Sequence, residues 1–217
     1  MAVPPGKRLR RAARSALIRA AIRLASLLPF GAALALGNLL GRLGWALAGR
    51  TRRLALSHLA LALPELSEGE RRAVARASFL HIARAAMEAV AVRHVDPRLE
   101  AYVALAGDGE RLLREAHAAG KGFVLVTGHL GNWELMARRI VRATGPSVTI
   151  ARPSWDPKID AMVADFRQQG GVTTLWRRED KGTGRAILKA FRQGMGFGIL
   201  IDQDTGVEGV FVPFFGR

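Results

Sequence analysis

His129 and Glu134 are the first residues in the chain whose types and spacing predict chemistry. They belong to the segment TGHLGNWE, residues 127–134, which follows a short apolar run rich in β-branched residues. Asn132 is a plausible helix N-cap and would place Glu134 in the first helical turn, where the helix dipole keeps a carboxylate ionised. The turn can bring this carboxylate toward the imidazole. Such a partner fixes the tautomer of a histidine and raises its basicity, which predicts a general base for a hydroxyl.

The same residues also fit a structural interpretation, in which His129 is a satisfied loop residue and Glu134 an ordinary first-turn acid. Two features favour chemistry. Gly128 and Gly131 flank the histidine and permit a tight turn with close substrate approach. The segment also follows a predicted strand, and active sites of α/β proteins collect at the carboxyl ends of strands. The backbone amides of Gly131 and Asn132 are candidates for stabilising an oxyanion.

The second half of the chain alternates short apolar runs with helical stretches, a pattern typical of right-handed crossovers in a mainly parallel sheet. The predicted fold class is therefore α/β, with helices flanking the sheet. We predict strands at 122–128, 147–151, 171–175 and 197–202, a possible further strand at 210–215, and helices at 132–144, 157–169 and 184–193.

The N-terminal third carries most of the net charge of +15. Residues 1–64 contain eleven basic and no acidic residues, whereas the remaining 153 carry 22 basic and 18 acidic ones. A basic amphipathic helix leads into residues 24–41, eighteen residues without a charge. Three interpretations are open: a membrane anchor that spans the bilayer or lies in its interface, a buried helical hairpin, and a cleaved signal peptide. As an anchor, its seven cations before Leu24 would hold this end at the cytoplasmic face.

The next helices have clear boundaries. Pro64 ends one of them, and Ser67 followed by Glu70 is a capping-box start for the next, which runs to about Val92. We therefore expect membrane-anchoring helices over residues 1–50 and a second domain over 51–217. That domain has a helical lead-in at 51–100 and an α/β part at 101–217.

Composition excludes several classes of protein. An apolar fraction of 49% with 24% charged residues excludes general disorder, and the absence of cysteine excludes disulfides, thiolate metal sites and a cysteine nucleophile. The basic residues accompany an apolar segment without an aromatic platform, which argues against nucleic-acid binding. No P-loop or HExxH motif occurs, and we predict no metal and no cofactor.

Four blocks of the chain resemble the bacterial lipid A late acyltransferases, the lauroyl and myristoyl transferases of lipid A biosynthesis. This family is related to the wider glycerol-phosphate acyltransferase superfamily, which shares an H-x-x-x-x-D/E motif. The resemblance extends from about residue 32 to 217. The blocks are LSHLALALPELSEGERRAVARASFLHIAR, GHLGNWE, ARPSWDPKID and GILIDQDTGVEGVFVPFFGR.

The resemblance implies a role for particular residues. His129 matches the catalytic histidine and Glu134 its acidic partner, and in such enzymes the base deprotonates an acceptor hydroxyl that attacks the thioester of an acyl carrier protein. Arg152 matches an active-site arginine, while Asp202 and Asp204 match an acidic block near the site. With Gly131 and Asn132, these three form the expected substrate-binding set.

The resemblance also implies where such a protein works and on what. We expect an inner-membrane acyltransferase, at the cytoplasmic face, that acylates a hydroxyl of a lipid A precursor. The alternatives are the same chemistry on another glycolipid, a lysophospholipid or an aminolipid, and an inactive membrane-surface interaction protein. Family members continue beyond the block that ends at Arg217, so we expect the α/β domain to lack its C-terminal part.

Overall fold

The structure is a computed structural model that describes residues 5–177, 182–203 and 213. Asp204 and the strand predicted at 210–215 lie outside the described residues, apart from Pro213. The chain divides into two compact units. One, the α/β unit, contains the residues up to Leu27 together with Arg93–Asp202. The other, the helical unit, is built on Leu28–Val92.

Helices fill the first half of the chain and alternate with strands in the second. In chain order they are α1 (Pro5–Ser26), α2 (Phe30–Leu47), α3 (Gly49–Ala62), α4 (Glu68–Val90), α5 (Leu99–Tyr102), α6 (Gly109–Ala118), β1 (Phe123–Thr127), α7 (Trp133–Thr144), β2 (Ser147–Ala151), α8 (Pro157–Gln169), β3 (Val172–Trp176), α9 (Gly182–Arg192) and β4 (Gly196–Leu200).

The four described strands form one parallel sheet in the order β1-β4-β2-β3. Thr127 pairs with Leu200, and Ser147 pairs with both Gly196 and Val172. This confirms the predicted α/β class and mainly parallel sheet. Each predicted strand and helix of this region within the described residues lies within two residues of its predicted bounds, because the apolar runs and the helical spacing mark them clearly.

Helices cover both faces of this sheet. On one face, Val148 and Phe197 pack with Ala190 of α9 in a buried cluster. Strand residues of the opposite parity, such as Leu125 and Leu200, face α7. Because the four described strands are parallel, their carboxyl ends meet along a single edge, where the loops that carry the predicted site begin.

In the helical unit, α2 packs closely on α4 through small residues. Ala33, Gly37 and Gly41 are buried at four-residue spacing, which places them on one face of α2. A Cβ atom added at Gly41 would lie 2.6 Å from Cα of Leu80, and one at Gly37 would lie 3.0 Å from Cα of Arg84. At position 41 the backbones of α2 and α4 therefore approach so closely that only glycine fits.

The uncharged stretch at 24–41 is not one helix. α1 ends at Ser26, Pro29 is the N-cap of α2, and α2 continues through Arg42. Proline has no backbone N–H and suits the start of a helix better than its interior, which explains the break. Of the helices in the described ranges, α2 is the one whose 18 residues and mean hydropathy of 1.2 suffice for a membrane span.

The predicted capping box at the start of α4 is confirmed. The Ser67 hydroxyl accepts a hydrogen bond from the Glu70 backbone N–H at 3.3 Å, and the Glu70 carboxylate accepts one from the Ser67 N–H at 2.8 Å. The hydrogen bond from the Ser67 hydroxyl, with that from its backbone, lowers the pKa of Glu70. α3 ends two residues before Pro64, also as predicted.

We expect Gly41→Ala to loosen the helical unit, because its new methyl group would overlap the α4 backbone. Such overpacking costs about 1–3 kcal/mol. Gly31→Ala is the matched control on the same helix, since no atom lies within 4 Å of its added Cβ. Hydrogen exchange followed by mass spectrometry should show faster exchange in α2 and α4 peptides of Gly41→Ala alone. Equal exchange in both variants would contradict the close packing.

Candidate active site

His129 and Asp202 form a hydrogen-bonded pair at the carboxyl edge of the sheet. The ring Nδ1 of His129 lies 2.8 Å from Oδ1 of Asp202, and the backbone N–H of His129 donates to Oδ2 at 2.7 Å. His129 follows β1 and Asp202 follows β4, so the pairing of these two strands brings the residues together. The side chains are 32% and 39% exposed, which leaves the pair open to a substrate.

The loop after β1 is shaped for this contact. A Cβ atom at Gly128 would lie 3.0 Å from Oδ2 of Asp202, so the absence of a side chain there admits the carboxylate. Gly131 has φ of +59°, a left-handed conformation that glycine adopts without strain. Asn132 caps α7 as predicted, since its side-chain oxygen accepts from the Leu135 N–H at 3.2 Å.

The carboxyl group of Asp202 is stabilised in its ionised form. Burial raises its pKa, but the hydrogen bonds from the His129 ring and from the His129 backbone outweigh burial, and the pKa is lowered from the ordinary 3.8. Asp202 is therefore an anionic acceptor for the imidazole at neutral pH.

Glu134 has a different partner from the one that its spacing predicts. Its carboxylate binds Arg167 of α8, with Nη2 2.6 Å from Oε1 and Nε 3.1 Å from Oε2. The structure thus joins His129 to Asp202 and Glu134 to Arg167, rather than His129 to Glu134. Once Asn132 has capped α7, the first helical turn directs Glu134 toward the neighbouring helix on the same face of the sheet.

Trp133 connects these two polar pairs. Its ring meets the His129 ring edge to face, with centroids 4.9 Å apart and an interplanar angle of 73°. Trp133 also lines, together with Glu134 and Arg167, a cavity of about 180 Å³ between α7 and the sheet. Most of the other lining residues are hydrophobic. The imidazole therefore contacts a ring that lines a largely apolar space.

The other predicted site residues take different positions. Arg152 follows β2, which pairs with β4 on the side opposite to β1. It is exposed at the same carboxyl edge of the sheet as Asp202. Asp204 cannot be placed, because it lies outside the described residues. In the part of the chain that the structure describes, no group of three or more His, Asp or Glu side chains has the arrangement of a metal site.

Two arginines of the site region make contacts that the sequence did not predict. Arg167 is the partner of Glu134. Arg138 of α7 is 4% exposed, binds Asp96 at 2.9 Å and donates to the carbonyl of Phe166 at 2.6 Å. The position of Arg138 on the apolar side of a strongly amphipathic helix is the signal that the sequence offered, since an arginine buried there requires acidic or carbonyl partners.

This chain is similar to proteins of known classification. The family described as bacterial lipid A biosynthesis acyltransferase matches residues 4–217. A lipid A biosynthesis lauroyltransferase of Escherichia coli is 30% identical over 190 residues, which are 87% of this chain and 60% of the relative. A lipid A biosynthesis acyltransferase of Haemophilus influenzae is 28% identical over 168 residues, 76% of this chain and 51% of the relative.

This chain thus spans between half and two thirds of the length of the two curated relatives. The family match covers nearly all of it and includes the loop of His129, the block around Arg152 and the strand that leads to Asp202. The chain belongs to the bacterial lipid A biosynthesis acyltransferase family.

Proposed function

We propose that this protein transfers a fatty acyl group from the thioester of an acyl carrier protein to a hydroxyl of a lipid A precursor. The observation that carries the proposal is the His129–Asp202 pair at the carboxyl edge of the sheet of a chain in this family. Acyl transfer to a hydroxyl requires a base, an oxyanion stabiliser and an apolar place for the chain. Each has a candidate in the α/β unit.

The base is His129. Ionised Asp202 accepts hydrogen bonds only, so the proton of the neutral imidazole lies on Nδ1 and the lone pair lies on Nε2. Nε2 takes the proton of the acceptor hydroxyl as its oxygen attacks the thioester carbonyl. When the tetrahedral intermediate collapses, the C–S bond breaks and the imidazolium returns the proton to the leaving sulfur. The products are an ester and the free thiol of the carrier.

The other site residues have supporting roles in this proposal. The backbone amides of Gly131 and Asn132 follow the base directly and are the candidates for binding the oxyanion. Arg152, exposed at the same edge, is suited to an anionic group of the acceptor. Asp204, which lies outside the described residues, stays a candidate for substrate binding.

The resemblance implies a His129–Glu134 dyad, whereas the geometry favours Asp202 as the residue that orients the imidazole. In our proposal Glu134 belongs to the site as the partner of Arg167. The two carboxylates can be separated by experiment, because each has its own cation or imidazole partner.

We further propose that the protein works at the cytoplasmic face of the inner membrane. Three observations support this location. Four leucines of α2 are 45% exposed or more, and α2 has the length of a membrane span. Residues 1–64 carry eleven cations and no acid, which suits an anionic leaflet. The exposed leucines are Leu39, Leu40, Leu43 and Leu47.

Deletion of the gene should remove the mass of one acyl chain from lipid A, as measured by mass spectrometry of lipid A and of the total lipid extract. Restoration of the natural gene should return it, and restoration with His129→Ala should not. Loss of an acyl chain from a different lipid would support the proposed acyl transfer but show that the acceptor is that lipid. No change in any lipid would contradict the proposed activity.

Asp202→Asn should lower turnover by about 10³–10⁴-fold, because an amide can hold the imidazole in the wrong tautomer. Glu134→Gln should lower it less, since the amide oxygen still accepts from Arg167. The measurement is acyl transfer in vitro by the full-length protein, with membrane association of each variant as the folding control. The opposite ranking would support the His129–Glu134 dyad and contradict the role given to Asp202.

Nitrogen-15 NMR of labelled histidines should show a neutral His129 protonated on Nδ1, identified by comparison with His129→Ala. The Asp202 carboxyl group should stay ionised as the pH is lowered to the ordinary aspartate value of 3.8, because its folded pKa lies lower. The stabilising effect of the ionised carboxyl group is present above its unfolded pKa and is lost as pH falls through its folded pKa. A wild-type ring protonated on Nε2 would refute the proposed orientation.

A further inference from the structure

Neither the backbone conformation at position 198 nor the neighbouring protein atoms require a glycine there. Gly198 lies in the middle of β4, the strand between β1 and β2, and its φ is outside the left-handed region. A Cβ atom added there would meet nothing nearer than the Val148 carbonyl oxygen, at 4.0 Å. Glycine weakens the interior of a strand and often marks a place where a ligand comes close.

Gly196, two residues earlier on the same face of β4, is a glycine of the other kind. A Cβ atom at Gly196 would lie 2.8 Å from the ring of Phe123, so protein packing excludes a side chain there. A side chain at position 198 would instead enter the cavity under α7, which Gly198 lines. The absence of a side chain at Gly198 therefore leaves space in the cavity and serves no packing function of the strand.

The cavity leads away from the candidate base. At one end are Trp133, which contacts the His129 ring, and Leu200 at the carboxyl end of β4. At the other are Ile140 and Val172, near the amino ends of the strands. Trp133 and Ile140 are seven residues apart on α7, which is about 10 Å along the helix axis.

The lining selects for hydrocarbon. Its charged members, Glu134 and Arg167, neutralise each other, and the Thr149 hydroxyl donates to the Gly198 carbonyl at 2.9 Å. The volume of about 180 Å³ exceeds the roughly 150 Å³ of an apolar cavity that stays dry and binds benzene. A flexible saturated chain is the ligand that this space fits.

We propose that this cavity binds the acyl chain of the donor thioester and that Gly198 determines how long a chain is accepted. The inference rests on the proposed acyltransferase function and adds a specificity-determining residue to it. A chain whose carbonyl carbon is at His129 enters beside Trp133 and extends under α7 across Gly198. A side chain at that position shortens the space along the path.

The test compares Gly198→Ala and Gly198→Val with natural protein of full length. Equal mixtures of acyl carrier protein thioesters from octanoyl to palmitoyl compete for transfer, and products are resolved by mass spectrometry. Both variants should prefer shorter chains than the natural protein, valine more so. One methylene in an apolar pocket changes selectivity by about 10–200-fold, so the ratio of the preferred chain to the next shorter one should fall at least about ten-fold.

Gly184→Ala is the matched control, because it makes the same change on α9, where nothing lies within 4 Å of the added Cβ. Its product profile should equal that of the natural protein. If the Gly198 variants also keep that profile, the inference is overturned. Thermal melting followed by circular dichroism checks that each variant is folded. Valine favours strands, so Gly198→Val is expected to keep β4 intact.

A binding measurement separates failure of this inference from failure of the proposed function. Saturated fatty acids from octanoic to palmitic acid are titrated, and their effect on the melting temperature is recorded for each variant. Should the natural protein transfer no acyl group, the proposed function fails. The cavity assignment then stands only if Gly198→Val selectively loses stabilisation by the longer acids, and it falls if all variants respond alike.

Discussion

The hydrogen-bonded ladder between β1 and β4 is the constraint on which the rest of the site depends. His129 and Asp202 are 73 residues apart in the chain, and each follows its strand by two residues. The register Thr127↔Leu200, extended by the bond from the Ile201 N–H to the Thr127 carbonyl at 3.0 Å, places the two loops side by side. A different neighbour for β1 would leave the imidazole without this carboxylate. Sheet order is therefore part of the chemistry.

A second constraint is the position of α7, which carries Trp133 and Glu134 in its first turn. Its middle is held by Arg138, whose buried guanidinium bridges Asp96 and the Phe166 carbonyl and lies 4.4 Å from the Phe166 ring centroid. Removing one partner of such a pair leaves a buried charge unpaired, which typically costs about 3–5 kcal/mol. The interaction holds α7, which lies over the cavity, against α8. It is thus a structural condition for both the polar edge and the apolar space.

These two constraints place opposite environments within one helical turn. The imidazole and its carboxylate are partly exposed, as a base that meets a lipid hydroxyl must be, whereas the neighbouring cavity is lined mainly by hydrocarbon. Trp133 separates them with a ring that contacts the imidazole and lines the cavity. An acyl thioester has the same division, since its polar carbonyl adjoins a long apolar chain. The match in polarity along this path is the physical reason to connect the site with acyl transfer.

The sequence by itself determined the elements, because hydrophobic spacing and local signals such as the Ser67–Glu70 capping box and the Asn132 N-cap act over a few residues. It also located His129 and Glu134 at a strand end and carried the family resemblance. Only the tertiary structure decided which carboxylate meets the imidazole. The partners of His129 and Glu134, Asp202 and Arg167, are 73 and 33 residues away along the chain. Their proximity follows from strand order and helix packing, which no local pattern encodes, and the open space at Gly198 arises in the same way.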